Sequence, residues 1–249
     1  LKQSKVNMNE QETHTGLGNQ TPSPCGRLDE NIALVTTTYF GPIQWYQKLN
    51  RYKTCYIERY DNFVKQTYRN RCVIATANGT QKLTIPVEGT DEKGGKILDR
   101  DIRISDHGNW RHLHWNALSS AYGESPFFEF YADDLRPFFE RRWTYLYDFN
   151  WEITLKICEL LDIQPDIHPT TNYLPEEKSD ESGNLSFLRS DGTADFRSAI
   201  RPKHPLPDPS FEPQPYYQVF RQKKEQAFLP NLSILDLLFN EGNEAVLYL

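Results

Sequence analysis

Positive charge, sulfur and long apolar runs are all scarce in this chain, and each shortage excludes a class of protein. The 28 basic residues are outnumbered by 34 acidic ones, giving a net charge of −6. A protein whose main partner is duplex nucleic acid needs a basic face, so nucleic acid is not expected as the primary partner. No segment approaches the ~18–20 uncharged apolar residues of a spanning helix. Residues 1–31 lack the apolar stretch of a signal peptide. The four cysteines, Cys25, Cys55, Cys72 and Cys158, are scattered and fit no zinc spacing, so no metal site is expected. They read as reduced thiols of a cytoplasmic protein that does not span a membrane. Walker A, G-x-G-x-x-G, H-E-x-x-H, G-x-S-x-G and C-x-x-C motifs are missing too. That argues against a P-loop ATPase, a standard Rossmann dehydrogenase, a zincin and an α/β-hydrolase. No cofactor can be named.

Aromatic side chains are plentiful. One Met stands against 14 Tyr, 14 Phe and 5 Trp, so the core must be built largely from rings, several with polar tips that need partners. At 249 residues, one domain accounts for the length. The expected class is α/β or α+β: a single domain with a mixed β-sheet, an Asn-Gly hairpin, several packed helices and a long Pro-rich loop.

Residues 1–30 are polar and read as a flexible tail, with the domain over 31–249. Ile32–Val35 reads as a buried strand. Gly41-Pro42 starts a helix, and Cys55–Ile57 is a second strand. Arg71–Ala77 and Leu83–Val87 form a hairpin around Asn78-Gly79, read as a type I′ turn. Pro86 interrupts or ends the return strand. Ile102 and Ile104 mark another strand. Asn109 is read as the cap of a helix carrying Trp110, Leu113, Ala117, Leu118 and Ala121 inward, with Gly123 as its stop. Asp133 is read as the cap of a second helix, with Pro137 in its first turn and Leu135, Phe138, Phe139 and Leu146 as its stripe. A third runs from about Asn150 to Asp162. Residues 174–215, rich in Pro, Ser, Asp and Gly, form a long loop able to serve as a lid. Ser233 caps a last helix that ends at Gly242.

Four candidates could carry chemistry. Lys65, Tyr68, Asn70 and Arg71 put two cations, a phenol and an amide within seven residues, a set suited to a phosphate or carboxylate. The bland alternative is a solvated strand end. His114 lies on the apolar side of its helix, as a general base or as a hydrogen-bonded core residue. Arg197, Arg201, Lys203 and His204 form a basic cluster in the long loop, either a lid over an anion or solvated charge. Cys72 is a buried thiol or, beside Arg71, a nucleophile.

The order of these pieces resembles the WbqC-like family. Thr38-Tyr39-Phe40-Gly41-Pro42 is similar to its Gln-Pro-x-Tyr-Phe-Pro opening, with Thr-Thr-Thr in place of Gln-Pro. Lys65-x-x-Tyr68-x-Asn70-Arg71 matches its most distinctive segment. Leu83–Val87, Trp110-x-x-x-His114-Trp115, Ala121-Tyr122, Pro126-Phe127-Phe128 and Asn231–Phe239 follow in order. Members occur among genes for O-antigen and related surface polysaccharides. The resemblance implies a transferase that moves glycine or another small acyl group to an amino sugar. Its partner would be an anionic, activated sugar or acyl donor. Arg71, Lys65, Tyr68, Tyr39, Arg201 and Lys203 would bind that substrate, and His114 and Asn70 would be catalytic. The alternative is a non-enzymatic scaffold or binding protein of the same pathway.

Overall fold

The computed structural model describes residues 28–88, 96–177, 188–220 and 227–249, with side chains from residue 32. The expected tail lies outside these residues, apart from the strand start at Leu28, earlier than Asn31. Strand β1 (Leu28–Thr36) is followed by helix α1 (Ile43–Arg51) and β2 (Tyr52–Glu58), which pairs with β1 in parallel. Two further strands join the same sheet in parallel. In chain order they are the last two, β7 (Asp166–Pro169) beside β2 and β8 (Ala194–Asp195) beside β1, giving the spatial order β7-β2-β1-β8. Two antiparallel pairs stand apart from it. One joins β3 (Arg71–Thr76) to β4 (Gly79–Thr84), the other β5 (Val87–Glu88) to β6 (Arg103–Ile104). The fold is therefore α/β, with parallel and antiparallel pairing kept in separate sheets.

Pro86 divides β4 from β5, as a residue without an N–H must. The hairpin turn differs from type I′. Its loop is Ala77-Asn78, and only Gly79, the first residue of β4, takes a positive φ, at 113°. Asn78 keeps an ordinary backbone, so all the unusual geometry falls on the residue without a side chain.

Helix α2 (Trp110–Tyr122) buries Trp110, His114, Leu118, Ala121 and Tyr122. Leu113 is exposed instead, because the buried stripe follows 110, 114, 118 and leaves 113 at its edge. Asn109 precedes the helix in the left-handed region and makes no capping hydrogen bond. The next helical segment begins before Asp133. It is α3 (Phe128–Leu135), and Pro137 opens a separate short helix, α4 (Pro137–Glu140). A proline cannot continue the hydrogen-bond ladder of the preceding turn, and that splits the expected single helix in two. Leu146 starts α5 (Leu146–Leu160) rather than closing α4. Ser233 does cap the last helix, α6 (Ile234–Glu241), accepting from the Leu235 N–H, and Gly242 ends it with φ 59°. The long loop contains β8, too short for a periodic signal.

Rings dominate the interior, with Tyr39, Phe40, Trp45, Tyr46, Tyr122, Phe149 and Phe239 at or near zero exposure. Phe149 lies 6.0 Å from Tyr39, 6.1 Å from Trp110 and 5.3 Å from Trp143, which ties α5 to the loop after β1.

Candidate functional site

All four strands of the parallel sheet end on the same side. The order β7-β2-β1-β8 is the 3-2-1-4 order of doubly wound sheets, in which the chain reverses direction across the sheet between the first and fourth strands. Ligands of such sheets sit outside the carboxyl ends of the strands at that reversal. Here those ends carry Thr36, Thr37 and Thr38 from β1, Glu58 from β2, Thr170 after β7, and Asp195 and Arg197 from β8.

The loop after β1 is tightly held. Phe40 sits at φ 41°, costly for a bulky side chain, and Gly41 is required because a Cβ there would collide with Thr38 Oγ1. The segment before α6 supplies the restraint. Ser233 Oγ donates to the Phe40 carbonyl at 2.8 Å, and the Ile234 N–H donates to the Gly41 carbonyl at 2.9 Å. The same segment caps α1. The Ile43 N–H donates to the Leu232 carbonyl and the Gln44 N–H to Asn231 Oδ1, each at 3.0 Å. A helix start in this position commonly cradles phosphate; here these two donors already have partners from the chain itself.

Two charged networks flank the edge. In the first, Glu58 is fully buried. Its Oε1 accepts from the Arg59 and Tyr60 N–H groups and from the Thr170 hydroxyl, and its Oε2 from the Leu174 N–H. Arg197 lies 3.6 Å from Glu58, grips Asp195 through Nε and Nη2, and donates Nη1 to the Leu174 carbonyl at 2.7 Å. In the second, Arg69 donates to Asp99 and Asp61, both at 2.6 Å. Burial pushes the Asp99 carboxyl up to about 7, with the Arg69 guanidinium pulling the other way. Asn150 Nδ2 closes this network on the Arg69 carbonyl at 2.7 Å.

His114 is buried. Its Nδ1 lies 2.9 Å from the Tyr39 hydroxyl. Burial lowers its pKa to about 4, only partly opposed by the nearby Thr84 backbone, so the ring is neutral at pH 7. A neutral imidazole keeps one nitrogen as an acceptor, which suits the Tyr39 hydroxyl. Tyr39 is fully buried, and desolvation holds its phenol protonated. Arg71 is half-buried and donates Nε to Thr84 Oγ1 at 3.0 Å. The Thr84 backbone also lies near the His114 ring, so Arg71 and His114 approach the same strand end. Asn70 is buried and donates Nδ2 to the Ile85 carbonyl at 2.8 Å. The Tyr68 carbonyl accepts from the Tyr39 N–H at 2.8 Å, so the Lys65–Arg71 segment lies against the β1 loop. Lys65 is exposed. From the long loop, Lys203 reaches back to Gln66 Oε1, whereas Arg201 turns to the His204 carbonyl. Gln66 and His204 both hold positive φ, at 64° and 48°.

Cys72 is not placed as a nucleophile would be. It is buried and desolvation pushes its thiol far up. Cys55 and Cys158 are likewise buried free thiols, each pushed up to about 12 mainly by burial. Among the described residues, no group of His, Cys, Asp and Glu is arranged to hold a metal, and no helix is long and apolar enough to cross a membrane.

Composition did not single out Arg69, Glu58, Asp61, Asp99 or Asp195. The available signal was the position of Arg69 itself, between Tyr68 and Asn70 in the singled-out segment.

The sheet order and its charged carboxyl edge define an α/β protein with a four-stranded parallel sheet and a polar cluster at the strand ends. Within that class the chain belongs to the WbqC-like protein family, whose match spans residues 37–248. It is also 29% identical over 232 residues to the uncharacterized protein Rv1507c of Mycobacterium tuberculosis, covering 88% of this chain and 97% of that protein. No solved structure matches it.

Proposed function

We propose that the protein is a cytoplasmic transferase of surface-polysaccharide synthesis, moving glycine or another small acyl group from an activated anionic donor to an amino sugar. The observation that carries the reading is the buried His114–Tyr39 pair on the β1 loop at the carboxyl edge of the sheet, with Arg71 and the Lys65–Arg71 segment packed beside that loop. Arg71 and Lys65 hold the donor's phosphate or carboxylate, with Lys203 and Arg201 contributed by the long loop. Tyr68 and Asn70 orient it. The acceptor amine attacks the acyl carbon, the bond from that carbon to the donor's activating group breaks and the group departs as an anion, and the amine's proton passes to the Tyr39 oxygen as Tyr39 gives its own to His114, neutral at pH 7. Both side chains are buried, so the reading requires a rearrangement that opens a path to them before substrate enters.

Arg71→Lys tests it. The variant keeps the charge but loses the fork, and Arg71 makes one side-chain hydrogen bond at the protein surface. Thermal stabilisation by nucleotide sugars or aminoacyl donors should fall sharply, while the unliganded melting temperature stays within a few degrees. A lost melting temperature with an intact ligand response would make Arg71 structural and defeat the assignment.

A second reading, a non-enzymatic binding protein of the same pathway, draws support from the saturation of the site. His114, Arg69 and Arg197 are each engaged by protein partners. It is favoured if a donor binds but no acyl transfer to an amino sugar is detected by mass spectrometry.

A further inference from the structure

Helix α2 has a second side. His114 faces the interior, while residues of its first turns line an open cleft of about 350 Å³ against α4 and the segment after it. Three guanidiniums contribute to that cleft: Arg111 from α2, Arg136 just before α4, and Arg142 just after it. Two carboxylates, Asp106 and Glu140, share the lining, which leaves an excess of one positive charge in a chain of net charge −6. Two aromatic rings complete the lining. The Trp115 and Phe139 rings lie 5.5 Å apart at 44° and both line the cleft.

The cations differ in how they are held. Arg111 is fixed, with Nη1 on Asp106 at 2.6 Å and its guanidinium 4.7 Å from the Trp110 ring. Its Nε and Nη2 are shielded and find no protein acceptor, so Arg111 contributes a fixed positive charge to the wall of the cleft. Arg142 is 85% exposed and reaches Asp106 only at 3.5 Å, so it is free to fold inward. Arg136 is paired with Glu140 one turn away on the surface, a weak commitment. Asn109 also lines the cleft. It holds φ 48° and does not cap α2, so its amide remains available.

We propose that this cleft binds an oxyanion carried on a ring, a sugar phosphate or a uronate, with the guanidiniums on the anion and Trp115 against the ring. Guanidinium forks fit phosphate and carboxylate alike, and an indole face suits the C–H side of a sugar. The site is separate from the one containing Arg71 and His114 and does not depend on the transferase reading.

Glucose 1-phosphate, glucuronate and inorganic phosphate are the probes, titrated into the intact protein by calorimetry. Saturable binding of at least one ring compound is expected. It should weaken at least tenfold in Arg136→Gln/Arg142→Gln and fall with added salt. Both side chains are exposed, so that variant should melt within a few degrees of wild type. Binding of glucose 1-phosphate alone would identify phosphate as the anion, and of glucuronate alone carboxylate; either supports the proposal. It is overturned if neither ring compound binds, if the double variant binds as well as wild type, or if inorganic phosphate binds as tightly as glucose 1-phosphate.

Discussion

His114 shows how much one buried polar side chain can hold. Its pKa, lowered to about 4 by burial, lies below the 6.5 of an exposed imidazole. Between those values the unfolded chain takes up the proton and the folded one does not, so stability falls as pH drops through that window. At about 1.4 kcal/mol per pH unit, the loss approaches 3 kcal/mol at pH 4 as an upper bound. Asp99 and Asp236 act in the opposite sense. Burial pushes both carboxyls up to about 7, so the folded state holds their protons from 3.8 to 7 and they favour folding toward acid. The His114 contribution is therefore seen as a difference. Urea midpoints measured from pH 7 to pH 4 should fall more steeply in the wild type than in His114→Phe. Parallel profiles would show that His114 titrates normally.

At the scale of elements, the hairpin isolates a purely conformational effect. A Cβ on Gly79 meets nothing within 4 Å, yet φ is 113°. Gly79→Val should cost about 1–2 kcal/mol from the backbone alone, read from denaturant midpoints. An unchanged midpoint would mean that the turn relaxes freely. The turn was legible in the sequence as a place, though not as a type, because Asn-Gly serves more than one hairpin geometry. The same limit applies elsewhere. Ser233 and Gly242 announced α6 because capping chemistry is local. The split at Pro137 was misread because a proline in a first turn and a proline between two helices look alike until packing decides. The parallel sheet was invisible beyond β1 and β2, since β8 spans two residues and pairs across 161 positions in the chain, Ala33 with Ala194. At the site, the Lys65–Arg71 segment was found by composition. The carboxylates that engage Arg69 were not, because no local pattern links Asp61 and Asp99 to it.

The whole molecule is tied together by contacts distant in sequence. Lys48 on α1 is fully buried, pairs with Asp208 at 2.7 Å, bonds Ser210 Oγ at 2.7 Å and lies 4.6 Å from the Phe196 ring. Burial lowers the Lys48 pKa, with Asp208 opposing it, and the pair remains a hydrogen-bonded link between α1 and the Pro-rich loop. Lys48→Met would leave the Asp208 carboxylate, 3% exposed, without its cation and with only the Gln44 and Ser210 hydrogen bonds, and should cost about 3 kcal/mol. Adding Asp208→Leu should recover part of that loss. Chemical denaturation of the two single variants and the double variant measures the coupling; strict additivity would mean that the pair contributes nothing.

The clamp on the β1 loop also has a temporal side. Ser233 and the carbonyl it holds at Phe40 lie 193 residues apart. At ~5–20 residues per second, a ribosome needs roughly 10–40 s to make the intervening chain. Throughout that interval the first strand–helix–strand unit has left synthesis without the residues that cap α1 and restrain Phe40. Nascent chains halted before residue 231 should therefore expose this aromatic-rich unit to chaperones and proteases, and native protection should arrive only once α6 is made.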